Sequence, residues 1–499
     1  MDIVCRKAIY MKLKVEAGES LADSLKKRRL YIDMPCGGNG TCGRCRVWIE
    51  NMGWVKSCQF RQPGEYEIRL PAARDFHTVI FEDSLAKKSQ ETPQCENRPL
   101  IVMDLGTTTV VMGIFYQGNY QIRTFINPQR AYGADVMSRI QRAAEGKEAE
   151  LQTLLLDQVM QTLDAVWKEW GFAEQEEGAY LGRRIEEAYP GRQAEEAYPG
   201  RQAEVVVSAN TAMQHLLEGL SCKGLGVSPF QPVDISLHTY RLKRSHSFIQ
   251  ELHITSLPGI STFIGADIVS GIYALSIMEE EEPALLLDLG TNGEMALGCK
   301  DKLLAASAAA GPAFEGSELA LAIHGAGVMK LLHQMLKEHV MDETGLLADE
   351  YFDTGYLVVL DGGITSAAQN DMRITQEDIR QIQMAKAAVS AGIRVLLSEY
   401  GISPRQVAKV YLAGGMGYYL DPEDAIAIGM LPEEFAQKTK AAGNTSYQGA
   451  LLYAQNPQSG GRRLKQITDT AREVVLSNHP LFEDYYMEAI NFPERVGIL

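Results

Sequence analysis

Two hydrophobic periods alternate along the chain: one with apolar residues at every second position, one with apolar residues at every third or fourth. Near the start, KAIYMKLKVEAG alternates toward a strand, Glu19–Arg29 reads as a short helix, and CRVWIENMG and YEIRLP read as further strands. Two later runs, Pro99–Met103 and Ala284–Leu287, are continuously apolar and each ends on an aspartate, as strands buried on both faces do. EVVVSANTA adds another sheet segment. Between these, ADVMSRIQRAA, LQTLLLDQVMQTLDAVWKEW and QEDIRQIQMAKAAVSAGIRVLLSEYG carry helical stripes of Leu, Ile, Val and Met, and such stripes are core packing. The pattern predicts an α/β fold of two similar lobes, each a mixed sheet flanked by helices, behind a small α+β domain.

Where periodicity lapses, boundaries follow. Residues 83–98, DSLAKKSQETPQCENR, are polar and aperiodic and read as a linker. This divides the chain into a first domain, 1–82, a first lobe, 99–280, and a second lobe with a C-terminal extension, 281–499. A nine-residue unit, EEAYPGRQA at Glu186–Ala194, recurs at once as Glu195–Ala203. It is too short for a solenoid, and its Pro-Gly pairs predict an exposed loop.

Composition narrows the function. With 499 residues, 45% of them hydrophobic, the chain can bury a large core. A net charge of −16 argues against general binding to nucleic acid or anionic membranes. Residues 1–80 carry +5 and the remainder −21. The basic front is either a solvated surface or a guide for an acidic electron donor. No apolar run reaches the roughly eighteen residues of a span, and the N-terminus lacks the apolar core of a signal peptide. Three of eight cysteines fall within ten positions, the spacing of a metal site in a reducing compartment, so a cytoplasmic location is expected.

Those cysteines are Cys36, Cys42 and Cys45, followed by Cys58, in the pattern C-x5-C-x2-C-x12-C. Four thiolates suit a [2Fe–2S] cluster. Gly37, Gly38, Gly40 and Gly43 let the chain wrap a cluster closely, with N–H groups aimed at sulfur. A zinc site would show two short Cys pairs or added His. A thioredoxin-like pair would leave two cysteines without a role. With its flanks, the segment resembles a [2Fe–2S] ferredoxin of the β-grasp type, although plant ferredoxins place four residues between the first two ligands. Cys5, Cys95, Cys222 and Cys299 are isolated and read as packing.

The second chemistry is phosphate-directed. After Asp104 come Gly106, Thr107, Thr108 and Thr109. A glycine turn permits close approach, N–H and hydroxyl groups bind phosphoryl oxygens, and the aspartate can hold Mg2+ through water. The order returns at Asp288, Gly290, Thr291, Asn292, Gly293 and Glu294. Two such turns 184 positions apart predict duplicated lobes facing across a nucleotide cleft, an arrangement that resembles the superfamily of actin, sugar kinases and heat-shock chaperone ATPases. The segment Ala309–Gly316, with Gly311, opens a helix, and its Glu315 is a candidate for binding ribose hydroxyls of the nucleotide. Gly414 and Gly415, after an apolar strand, resemble the adenosine motif of that superfamily. Asp267, at a predicted helix start, is a candidate third carboxylate.

Further segments are Asn127–Arg139, Ser208–Leu216, Ile374–Lys386 and Ala442–Ser446. Together with the cysteine loop they make the whole chain resemble the reductive activators of corrinoid-dependent methyltransferases. Larger members of that family carry a middle domain between ferredoxin and ATPase, and with Asp104 so close to the linker none is expected here. The resemblance implies an ATP-hydrolysing iron–sulfur reductase, with [2Fe–2S], ATP and Mg2+ as cofactors. It would pass an electron to an inactive Co(II) corrinoid protein and restore Co(I). An uphill gap of roughly 100 mV costs about 2.3 kcal/mol per electron, and nucleotide-dependent partner binding can offset it. The implied electron donor is a ferredoxin or flavodoxin, and a homodimer is one admissible assembly. Competing readings are an ATP-driven donor to another low-potential enzyme, a redox-sensing small-molecule kinase and a non-enzymatic sensor.

Overall fold

A computed structural model describes residues 9–28, 30, 32, 34, 38–40, 45–70, 95, 98–172, 201–244, 247–290, 292–310, 318–358, 373–417 and 419–494. The chain opens with a small α+β module. Its strands β1 (Ile9–Val15), β2 (Arg46–Ile49), β3 (Gly53–Lys56) and β4 (Gly64–Leu70) lie in the order β1-β4-β2-β3, every neighbouring pair antiparallel. Strand alternation places Leu13, Val15, Val47, Ile49, Ile68 and Leu70 on one face. There they bury Leu21 and Leu25 of helix α1 (Leu21–Lys27). A capping box fixes where α1 begins: the Asp23 N–H donates to Ser20 Oγ at 3.1 Å, and the Ser20 N–H donates to the Asp23 carboxylate at 3.0 Å.

Two six-stranded sheets follow. The first contains β5 (Leu100–Leu105), β6 (Thr109–Tyr116), β7 (Asn119–Ile126), β8 (Gln202–Ala209), β9 (His238–Lys243) and β10 (Glu251–Ser256), in the order β7-β6-β5-β8-β10-β9. The second contains β11 (Ala284–Leu289), β12 (Gly293–Cys299), β13 (Lys302–Ala308), β16 (Lys409–Ala413), β17 (Thr439–Gly443) and β18 (Ala471–Glu473), in the order β17-β16-β11-β12-β13-β18. A separate hairpin pairs β14 (Tyr356–Leu357) with β15 (Arg373–Ile374). The two sheets share a plan. Each has an antiparallel meander, β5-β6-β7 or β11-β12-β13, whose first strand pairs in parallel with a later one, β8 or β16. The duplicated lobes expected from the repeated Asp-Leu-Gly turns are thus present as two sheets that correspond over five strands, the sixth lying on opposite edges, β9 beyond β10 and β18 beyond β13.

Helices α2 (Val136–Arg142) and α3 (Glu148–Glu169) cover the first sheet, and Leu151, Leu155, Val159, Leu163 and Val166 of α3 form its buried stripe. Helix α4 (Thr211–Glu218) follows β8, and α6 (Gln376–Tyr400) packs on the second sheet. Between the sheets lie α5 (Ala266–Ala274) and α7 (Thr445–Gln455), whose side chains share one core with residues of both sheets. They cross so closely that a Cβ on Gly449 would come within 2.2 Å of the Ser270 carbonyl. Most of the predicted linker, all but Cys95 and Arg98, and most of the tandem unit lie outside the described residues. The second copy ends differently from the expected loop, because Gln202 and Ala203 open β8, where Ala203 is buried. Among the described residues no helix is long and apolar enough to cross a membrane.

Candidate nucleotide cleft and cysteine site

The turn after β5 brings the first carboxylate to the edge of its sheet. Gly106 N–H donates to the Thr109 carbonyl at 3.0 Å, and a Cβ on Gly106 would sit 2.6 Å from that oxygen, so the turn requires glycine. Asp104 accepts from Ser446 Oγ at 2.6 Å and from Asn444 Nδ2 at 2.7 Å. Asn444 also caps α7, accepting the Tyr447 N–H at 2.8 Å. Asn210 repeats the arrangement from α4: it accepts the Met213 N–H and donates to Thr107 Oγ1, both at 3.0 Å.

The second turn is one residue tighter. Leu105 pairs with Val110 across the first hairpin, but Leu289 pairs with Gly293 across the second. Val111 therefore opposes Asp104, whereas Glu294 opposes Asp288 and shares its face. Asn292 Nδ2 donates to Glu294 Oε1 at 3.1 Å, and the Gly290 N–H donates to the Asn292 carbonyl at 3.0 Å. Gly414, with φ +81°, closes over this turn; a Cβ there would lie 2.5 Å from Asp288 Oδ1. Asp267, in the first turn of α5, accepts the Ile268 N–H at 2.9 Å.

These side chains surround one cavity of about 140 Å³. Its lining includes the carboxylates Asp104, Asp267, Asp288 and Glu294 and no Lys or Arg among the described residues. The titration behaviour follows from that. Burial raises the Asp104 carboxyl, against the two hydrogen bonds that favour its charged form. Burial, assisted by the charge of Asp104, pushes Asp267 up to about 7. Burial and the neighbouring charges of Asp267 and Asp288 hold Glu294 well above the usual carboxylate range.

Of the predicted cleft residues, the cavity also gathers Gly106, Thr107, Thr108, Thr109, Gly290, Asn292, Gly414 and Gly415. Gly293 lies behind it, at the start of β12 against Val389. Thr291, Gly311 and Glu315 fall outside the described residues. The lining adds four residues not singled out as site residues from sequence, Val111, Asn210, Asn444 and Ser446, the last three within the segments Ser208–Leu216 and Ala442–Ser446. The available signal was an Asn between an apolar strand and a helix, the mark of an N-cap.

In the N-terminal module, Cys45 and Cys58 are buried with their Sγ atoms 3.2 Å apart. That is too long for a disulfide, and it leaves the two sulfurs as close neighbours on one side of the module. Gly38 and Gly40 have positive φ, and Gln59 Nε2 donates to the Gly38 carbonyl at 2.9 Å while lying 3.6 Å from Cys58 Sγ. Cys36 and Cys42 lie outside the described residues.

One family model, the C-terminal ASKHA domain of RACo, matches residues 282–321 and 317–497; a second, the RACo middle region, matches 100–178 and 192–280. The second match corrects the expectation that no middle domain is present: the first of the two lobes is that region. The chain is 26% identical over 453 residues to a corrinoid activation enzyme, RamQ, of Eubacterium limosum, covering 80% of this chain and 71% of the relative. It is 27% identical over 288 residues to a [Co(II) methylated amine-specific corrinoid protein] reductase of Methanosarcina barkeri, covering 49% of this chain and 52% of that protein. In fold it is similar to a solved reductive activator for corrinoid, iron–sulfur protein, with a TM-score of 0.65, 21% identity and 96% coverage of both chains.

Proposed function

The chain belongs to the family of reductive activators of corrinoid proteins, matched in both its RACo middle region and its ASKHA domain, and we infer from this that it returns an inactive Co(II) corrinoid protein to Co(I). One electron is transferred; cobalt, carried by the partner, is the substrate that accepts it. Similarity to RamQ and to the Co(II) corrinoid protein reductase supports the reaction class.

One observation carries the nucleotide half of the reading. The aspartates of both Asp-Leu-Gly turns, from different sheets, line a single cavity with glycine and threonine turns around it. Thr107, Thr108 and Thr109 would hold phosphoryl oxygens, and Gly414 and Gly415 would leave room for the adenosine. The donor set fits a divalent cation, since carboxylates crowded without Lys or Arg favour the proton until a cation replaces it. Among the described residues no three His, Cys, Asp or Glu converge directly on one point. Asp104, Asp267 and Asp288 would hold Mg2+ together with the phosphates of a bound nucleotide.

The cysteine site fits a [2Fe–2S] cluster in its described half, through the close Cys45–Cys58 pair and the glycine-rich wrap. With Cys36 and Cys42 it would supply a one-electron store of low potential. Around it, the chain's part is to bury the sulfurs and to position Gln59 beside Cys58. A soluble low-potential carrier, ferredoxin or flavodoxin, would fill that store, and ATP would drive or time its discharge.

Steady-state hydrolysis tests the reading. ATP turnover with Mg2+ is expected to rise when a Co(II) corrinoid protein is added, and Asp288→Asn is expected to reduce turnover by at least tenfold. An ATPase rate indifferent to Asp288→Asn would remove the cleft from the mechanism.

A further inference from the structure

The carbonyls of the first phosphate turn are held from behind by one short segment. Asn127 Nδ2 donates to the Gly106 carbonyl and the Asn127 N–H to the Thr108 carbonyl, both at 2.9 Å. Between them, the Thr107 carbonyl accepts from the Arg139 guanidinium. Asn127 and Arg139 are fully buried. Arg139 is fastened to its own segment as well, with Nε donating to the Gly133 carbonyl at 3.0 Å. Gly133 packs so tightly that a Cβ would lie 2.4 Å from that of Ser138. The turn cannot move relative to Asn127–Arg139 without breaking buried hydrogen bonds, each costly to leave unmade.

The same segment has a second face toward the cysteine module. Lys26 of α1 places Nζ 4.2 Å from the centre of the Tyr132 ring, and Tyr132 donates from its hydroxyl to Glu150. Ala22, Met34, Cys45 and Cys58 of the module belong to one apolar core with Ala131, Tyr132 and Ile140. Three positions in sequence, 127, 132 and 139, therefore reach the phosphate turn, the module and the turn again.

We infer that Asn127–Arg139 is a positioning element that seats the cysteine module on the first lobe and couples that seating to occupancy of the phosphate turn. The inference rests on the nucleotide reading of the cleft. Close-packed interiors transmit displacement rather than absorb it, so a ligand that shifts Gly106–Thr108 must shift the surface under α1. Linkage makes the effect reciprocal: whatever factor the nucleotide contributes to seating, seating contributes to nucleotide affinity.

Hydrogen exchange on the full chain, with and without a non-hydrolysable ATP analogue and Mg2+, tests this at the amides of α1. The expected result is a severalfold change in α1 exchange on nucleotide binding. In Lys26→Met and Tyr132→Ala that response is lost, and nucleotide affinity by calorimetry shifts by roughly the same factor, about 5- to 10-fold. Unchanged exchange in α6 reports that each variant remains folded. Nucleotide that binds wild type without altering α1 exchange overturns the coupling and leaves the cleft reading standing. Nucleotide that does not bind at all by calorimetry overturns both. The wild-type comparison decides the matter even where a variant fails to fold.

Discussion

At the scale of residues, the cleft stores an unfavourable charge. Asp267 has its folded pKa raised to about 7, against about 3.9 for a free Asp. A carboxyl raised in this way contributes stability below about pH 4, and the contribution is lost as pH rises through 7. Above pH 7 the ion is held at a cost of about 4 kcal/mol at most. Asp267→Asn is therefore expected to be more stable than wild type at pH 8 and equal to it near pH 4, in urea unfolding without nucleotide or metal. Added Mg2+ and nucleotide should narrow the gap at pH 8. The partner of this strain is Asp104, whose charge is favoured by Ser446 and Asn444. Ser446→Ala removes one charge-assisted bond, worth about 1.5–3 kcal/mol. The predicted consequence is roughly tenfold weaker Mg-nucleotide binding at pH 7, measured by calorimetry. Gly414 tolerates no side chain because both its φ of +81° and the 2.5 Å approach to Asp288 forbid one. Gly414→Ala should cost about 1–3 kcal/mol and displace the Asp288 carboxylate, seen as a fall in Tm together with lost nucleotide binding.

At the scale of elements, much was legible from the hydrophobic pattern and some was not. Apolar runs ending on Asp104 and Asp288 announced β5 and β11, because a strand buried on both faces leaves no other signature. The one-residue difference between the two turns was not legible. Register depends on turn geometry, and the similar letters after each aspartate hide that Glu294, but not Val111, is a carboxylate facing the cleft. Strand β3 is not announced by its pattern because Gly53–Lys56 has only a half-buried face, with Val55 against the module's core, while Trp54 is exposed and packs edge-on against Trp48 across the hairpin. The predicted helix of Ala134–Ala144 is realised as Val136–Arg142, with Asp135 as its cap.

The apolar stripe of α6 predicts packing, yet the helix also buries a lysine. Lys386 Nζ donates to the carbonyls of Ala489 at 2.7 Å and Asn491 at 2.6 Å, fastening the C-terminal segment to α6. Burial lowers its pKa to about 7, against about 10.4 when unfolded. The unfolded chain then binds the extra proton between those values, so this residue makes stability rise from pH 7 to pH 10 and leaves it flat below 7. The two carbonyls favour the charged form and reduce the slope. Relative to wild type, Lys386→Met should lose that rise while exposing the amides of residues 489–492 to faster hydrogen exchange. A wild-type minus variant stability difference that does not change with pH would show the amine stays charged throughout.

At the scale of the molecule, the ordered motifs placed the two-lobed body correctly, whereas the middle region was misjudged. The pattern predicts no middle region, but that region is the first lobe itself, because a duplicated sheet with its own Asp-Leu-Gly turn reads equally as half of an ATPase and as a separate domain. The tandem unit shows a similar limit. Its Pro-Gly pairs signalled a loop, and the signal could not reveal that the last two residues of the second copy belong to a central strand. What joins these parts in one account is the Asn127–Arg139 segment, which touches both the phosphate turn and the cysteine module. On the proposed function, reduction of cobalt requires both sites at once. The most direct measurement is anaerobic absorption spectroscopy of a Co(II) corrinoid protein mixed with the full chain and a low-potential reductant. Co(I) is predicted to form only with ATP and Mg2+, and Cys45→Ser should form none while still hydrolysing ATP. Co(I) appearing equally fast without nucleotide, or with the Cys45 variant, would contradict the account.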